Sequence, residues 1–139
     1  MGSMNPIETL YRRWLFDLWH GDFAVADEIL APDALGHWPE REVHGPDGFV
    51  EQVRQSHAVF DDIRNTLDVG PVVGDGMVAA RWTFHGAYRE GIPGATAAPG
   101  TPIAFTGQDI FRVRDGRLAE YWVVSDALGL MTALGAVKP

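Results

Sequence analysis

The 139-residue chain contains no cysteine. That removes disulfides and thiolate metal sites, and it is compatible with a reducing cytoplasm, the expected location. No apolar run is long enough to span a bilayer, and the N-terminus has no signal-peptide pattern. Positive charge is also scarce. Eleven Lys and Arg face nineteen Asp and Glu, for a net charge of -8, which disfavours nucleic acid or an anionic membrane as partner. No helix carries His-x-x-x-His or His-x-x-Glu at ligand spacing, so neither a metal nor another cofactor is expected. There is no Gly-x-Ser-x-Gly nucleophile turn, and Gly91 to Gly100 lacks the preceding strand and the Lys of a phosphate loop.

What is present is ordinary globular composition, 46% hydrophobic and 22% charged. The length fits one domain, which buries roughly 70% of its unfolded surface. That domain is placed at 4–139, because Met1-Gly2-Ser3 ahead of Met4 reads as a cloning remnant.

The most informative stretch is Thr101 to Ser125. Ile103, Phe105, Gly107, Asp109, Phe111 and Val113 alternate with Ala104, Thr106, Gln108, Ile110 and Arg112. Period two predicts a strand with the two sets on opposite faces. Asp115-Gly116 marks a tight turn, and Leu118 to Ser125 returns, with Tyr121 and Val123 on one side. Asp109 is the anomaly, a carboxylate in an apolar row. Such an acid either has a partner or has a raised pKa and a task.

Upstream, Asn5-Pro6-Ile7-Glu8 reads as a capped helix start, followed at helical spacing by Ile7, Leu10, Tyr11, Trp14, Leu15 and Leu18. Asp22 to Leu30 predicts a second helix, and Pro32-Asp33 a turn toward His37 and Trp38. Gly45-Pro46-Asp47 opens a third helix, with Phe49, Val50, Val53 and Phe60 as its apolar stripe. Ile63 to Val69 and Met77 to Ala87 predict two strands around a Gly74-Asp75-Gly76 turn. Glu90 to Gly100, rich in Gly, Pro, Ala and Thr, reads as a mobile loop long enough to be a lid. Asp126 is placed to cap a last short helix carrying Leu128, Met131 and Leu134. Helices followed by an antiparallel sheet make an α+β layer fold.

Gly107-Gln108-Asp109-Ile110-Phe111-Arg112, then Asp115-Gly116-Arg117-Leu118, Glu120-Tyr121-Trp122, Asp126 and Leu134-Gly135 resemble the SnoaL-like polyketide cyclase family, within the nuclear transport factor 2-like superfamily. The resemblance runs from near His37 to Gly135. It implies a cone-like curved sheet closed by the N-terminal helices around an apolar pocket. It also implies that the carboxylate such cyclases use on the last strand falls on Val123, and that their His partner falls on Asp109. Valine cannot move a proton. The acid/base role has therefore passed to Asp109, the chemistry differs, or the protein only binds.

On this reading Asp109, His37 and Tyr121 are the catalytic candidates. Asp109 would be acid or base, against the plainer alternative of a buried acid satisfied by a Tyr, a Trp N–H or backbone. His37, matching a pocket-mouth His of the family, and Tyr121 would orient a substrate oxygen. Tyr11, Trp14, Trp38, Phe105, Phe111 and Val123 are candidates to hold a carbon skeleton, or else are core. His85 lines the pocket only if a bend before Gly86 turns it inward, and Tyr88 is a candidate gate. Arg81, Arg112 and Glu120 share the outer sheet face as an ion-pair cluster or part of a dimer interface.

The expected function is cofactor-independent proton transfer on a small apolar oxygenated metabolite: cyclisation, isomerisation or dehydration. The alternatives are an epoxide hydrolase of the same fold and a non-catalytic ligand-binding or dimerising module. A homodimer is expected under each.

Overall fold

The structure, a computed structural model, describes residues 4–137; Met1-Gly2-Ser3 lies outside them. Helix α1 (Pro6–Arg12) begins where the sequence places it, with the Asn5 side chain accepting from the Ile7 N–H at 2.8 Å. Glu8 does not complete a capping box. It pairs with Arg12 one turn on, at 3.1 Å. The helix continues as a π-helical turn over Arg13–Leu18, and a 3-10 turn at Phe23–Val25 leads into the short α2 (Ala26–Ile29).

The expected turn at Pro32-Asp33 is instead part of a strand, β1 (Leu30–Trp38), which hairpins into β2 (Arg41–His44). Pro and Gly lower strand propensity. Here Pro32 falls in the irregular stretch where pairing shifts between Leu30 and Leu35, so its missing N–H interrupts no ladder bond. Gly36 is required by packing: a Cβ there would lie 2.5 Å from the Trp38 ring and 2.9 Å from Phe49.

Helix α3 (Gly45–Val59) follows, then β3 (Phe60–Gly74), β4 (Met77–Tyr88), β5 (Pro102–Arg114), β6 (Arg117–Ser125) and α4 (Ala127–Ala133). Phe60, expected on the third helix, starts β3. Asp75-Gly76 and Asp115-Gly116 both have positive φ, the backbone of the hairpin turn whose twist matches the flanking strands. Asp126 caps α4 by accepting from the Gly129 N–H at 2.9 Å, although Leu128 points outward and is exposed.

The six strands run in the order β2-β1-β6-β5-β4-β3. All neighbours are antiparallel except β1 and β6, which are parallel. That pairing is a departure from a purely antiparallel sheet. Register shifts along β3 and near Arg112 mark bulges, and bulges bend strands. The curved sheet wraps α1 and the π-helical turn, with α3 closing over β1. Tyr11, Trp14, Leu18, Ile29, Phe49, Val53, Phe111 and Leu118 form the solvent-free centre. This is the mixed α+β cone of the fold class expected from the sequence. Among the described residues, no helix is long and apolar enough to cross a membrane.

Candidate active site

Asp109 lies mid-strand on β5, directly opposite Val123 of β6 and Ala80 of β4. The alternation that put it among apolar residues turns its side chain to the concave face, where it is only 2% exposed. Two tyrosines meet it there. The Tyr11 hydroxyl, delivered by α1, donates to Oδ1 at 2.6 Å, and the Tyr121 hydroxyl, from β6, donates to Oδ2 at 2.9 Å. The indole N–H groups of Trp14 and Trp82 also lie near the carboxylate, but neither reaches hydrogen-bond geometry. They act as oriented dipoles that favour its charge. Trp82 sits where it does because the residue opposite is Gly107; a Cβ there would lie 2.2 Å from the ring.

Burial dominates the electrostatics. Desolvation raises the Asp109 pKa from 3.8 to about 6, against the opposing pull of the Tyr11 and Tyr121 hydrogen bonds and the two indoles. Burial and the adjacent carboxylate push both tyrosine pKa values up, so each hydroxyl keeps its proton and stays a donor. A carboxyl that titrates near neutrality is suited to giving and taking a proton.

A cavity of about 370 Å³ opens in front of this group. Asp109, Tyr121, Val123, Phe105 and Trp38 line it, all five expected from the sequence. Trp14, Phe111 and Tyr11 stand behind the wall, fully buried. Trp14 and Phe111 pack edge to face with rings 5.2 Å apart, and Phe111 lies 4.4 Å from the Tyr121 ring. They hold the Tyr121 ring and form core, while Tyr11 acts on Asp109 itself. An open hollow of about 460 Å³ on the convex face also borders Asp109. The bonds to both tyrosines show which side the carboxylate faces, the side of the inner cavity.

Three expected residues do not join the site. His37 is on β1 beside Trp38. Trp38 takes the inward position, so alternation turns His37 to the convex face. There its Nε2 meets Glu120 Oε2 at 2.8 Å and its ring stacks on Trp122 at 5.5 Å. Arg112 completes that outer cluster, 3.7 Å from Glu120. His85 also points outward, toward Thr66 Oγ1 at 3.3 Å; no bend before Gly86 turns it in, because β4 continues to Tyr88. Tyr88 is no gate to this cavity. It packs against Phe60, and its hydroxyl accepts from the Ile92 N–H at 3.2 Å. The loop that Tyr88 anchors is tied to α4's end, where the Thr96 and Ala97 N–H groups donate to the Leu134 carbonyl at 2.9 and 3.1 Å. The loop contributes no residue to the Asp109 cavity.

Sequence reasoning missed Asn65 and Trp82 as lining residues. Asn65 carried the same signal as Asp109, a polar residue in a row with Ile63, Leu67 and Val69. Gln52 and Ser56 of α3 and the exposed Glu40 form the cavity's polar rim; the rim is made by α3 packing on β1, which no local pattern encodes.

A sequence model described as SnoaL-like polyketide cyclase matches residues 9–134. No curated protein matches. Among solved structures, TsrD from Streptomyces laurentii is 29% identical with a TM-score of 0.82, over 99% of this chain and 100% of that one. IdmH from Streptomyces antibioticus, described as a candidate polyketide cyclase, is 27% identical with a TM-score of 0.77, over 95% and 99%. A candidate polyketide cyclase from Acidithiobacillus ferrooxidans, 23% identical with a TM-score of 0.82 over 96% and 97%, shares the fold. The sequence model spans residues 9–134, and the solved structures it resembles superpose over nearly the whole chain: this chain belongs to the SnoaL-like polyketide cyclase family.

Proposed function

We propose that the protein is a cofactor-independent acid/base enzyme acting on a small, largely apolar, oxygenated metabolite. One observation carries this reading: a buried carboxyl, its pKa raised by desolvation to about 6, stands in the wall of a mainly apolar cavity with a polar rim. As the carboxylate, Asp109 takes a proton from a carbon next to a substrate carbonyl, and the electrons of the broken C–H bond move into the enolate. As the acid it returns that proton to carbon or oxygen at the next step. Cyclisation, isomerisation and dehydration all consist of such transfers. Tyr121, which both lines the cavity and bonds Asp109, orients the carboxylate. Once Asp109 carries the proton and no longer needs that donor, the single Tyr121 O–H is released to donate to a substrate oxygen. Tyr11 holds the other carboxyl oxygen from behind. Trp38, Phe105 and Val123 supply apolar contact to the carbon skeleton. Epoxide opening needs a second group converging on the same point, and the other lining carboxylate, Glu40, is exposed at the rim.

The non-catalytic reading is favoured by one fact: both Asp109 oxygens already accept a tyrosine hydrogen bond. A screen of aromatic polyketides, terpenoid epoxides and steroid-like enones, read by mass spectrometry for binding and turnover, separates the two. Turnover of one class is expected, lowered about 10²–10⁴-fold in Asp109→Asn. An unchanged rate in that variant removes Asp109 from the mechanism. Binding of one class without conversion supports a carrier.

We also propose a homodimer through the convex sheet face, where Val69, Val72, Ile110 and Val124 are exposed together around the outer hollow. A contiguous apolar patch on a sheet face is a recurrent interaction surface.

A further inference from the structure

Asn65 is the other polar residue enclosed on the concave face among the described residues, 5% exposed and lining the cavity of Asp109. Its surroundings fix it firmly. Its backbone N–H donates to His20 Nε2 at 3.1 Å, and its Nδ2 donates to the Leu15 carbonyl, in the π-helical turn, at 3.0 Å. His20 therefore serves as an acceptor, in keeping with the lowering of its pKa by burial. The bond to a carbonyl also settles which end of the amide is which, since only the NH₂ group can donate. That leaves Oδ1 buried with no partner. Orphaned acceptors of this kind are uncommon in native proteins, and each calls for a reason. The neighbours offer none: Phe84 is directly cross-strand, and Leu15 and Trp19 are the adjoining wall.

Asn65 and Asp109 also stand at different ends of the cavity. Asn65 pairs with Phe84, which pairs with Phe105, four residues along β5 from Asp109. With a rise of about 3.3 Å per residue and strands about 4.8 Å apart, the two Cα positions are separated by roughly 16 Å in a flat sheet, and by less across a concave one.

We propose that Asn65 Oδ1 is a substrate-recognition acceptor. The cavity takes an extended, mainly apolar ligand that presents a hydroxyl or N–H donor to Asn65 at one end while its reacting carbon lies against Asp109 at the other. The placement of the reacting end rests on the acid/base reading above; the donor at Asn65 does not.

The test uses 6-hydroxy-2-acetylnaphthalene and 2-acetylnaphthalene, which lacks the hydroxyl. Binding is followed by quenching of Trp19, Trp38 and Trp82, all of which line the cavity. The wild-type protein is expected to bind the hydroxylated probe at least about 10-fold more tightly, a difference of about 1.4 kcal/mol. Asn65→Leu is expected to erase that preference and Asp109→Asn to retain it. A crystal of the wild-type protein with the hydroxylated probe is expected to show the phenol donating to Asn65 Oδ1, and this decides the matter if Asn65→Leu does not fold. Equal affinities, no binding of either probe, a preference that survives Asn65→Leu, or a lone water on Oδ1 with the phenol elsewhere overturns the proposal. Should the Asn65 results hold while Asp109→Asn turns over substrate normally, the acid/base reading fails and the recognition site stands.

Discussion

Tyr11 and Asp109 are 98 positions apart in the chain and 2.6 Å apart in the fold. The first helix thus places a proton donor on an acid carried by the fifth strand. Tyr121 does the same from the sixth strand. Both bonds stabilise the carboxylate against the burial that disfavours it.

Removing either hydroxyl is expected to raise the Asp109 pKa above about 6, because a bond that favours the charged form is lost while desolvation stays. Tyr11→Phe and Tyr121→Phe can each be followed by NMR titration of the Asp109 carboxyl carbon. Each is expected to cost about 1–3 kcal/mol of stability at pH 8, where the carboxylate is left short of a donor, and less at pH 4. A pKa that falls or stays put in both variants contradicts the account of the site.

Asp109 itself makes stability depend on pH. Its folded-state pKa is raised from 3.8 to about 6, so the folded protein holds this proton more tightly than the unfolded chain. The resulting contribution is fully present below about pH 4, is lost as pH climbs to about 6, and is constant above. At 1.36 kcal/mol per unit its size is on the order of 3 kcal/mol. Asp109→Asn lacks this titration. The difference in unfolding free energy, wild type minus variant, should therefore fall between pH 4 and pH 6.5. A flat difference in urea melts across that window shows that the acid is not raised.

Val123 faces Asp109 across the β5–β6 ladder. Directly opposed residues have Cβ atoms about 4.5–5.5 Å apart. Val123→Asp puts a second carboxylate against the first, and two such groups titrate as a pair with one step displaced upward. The variant is expected to lose much more stability at pH 8 than at pH 5, by several kcal/mol, because both acids cannot ionise there without a counter-charge. Thermal melts at the two pH values read this directly. Equal losses at both would mean that position 123 does not share the enclosure of Asp109.

On the convex face, Val72→Glu and Ile110→Glu place charge in the exposed apolar patch. Sedimentation equilibrium is expected to show a wild-type dimer and a monomeric double variant with an unchanged far-ultraviolet spectrum. A monomeric wild type ends the dimer proposal.

Much of the architecture is local enough to read directly. The cap at Asn5, the cap at Asp126, the positive-φ hairpin turns and the alternation of β4, β5 and β6 each depend on a few neighbouring residues. They were legible for that reason. So was the anomaly of Asp109, because a strand's period assigns a face without any partner being known. β1 was not legible, since Pro32 and Gly36 argue against a strand until the bulge beside β6 and the ring of Trp38 are in place. With β1 unrecognised, His37 could not be assigned to its outward face.

The amino-acid order alone determined a lone acid on an apolar strand face and the hairpin that carries it, because turn chemistry and period two act over a few residues. The tertiary structure decided what surrounds that acid. Tyr11 arrives from the first helix, Asn65 from the strand at the sheet's far edge, and His37 is excluded to the other side. Those outcomes depend on how a bent sheet closes around helices, and pairings between distant segments are set by packing of the whole core rather than by any local pattern.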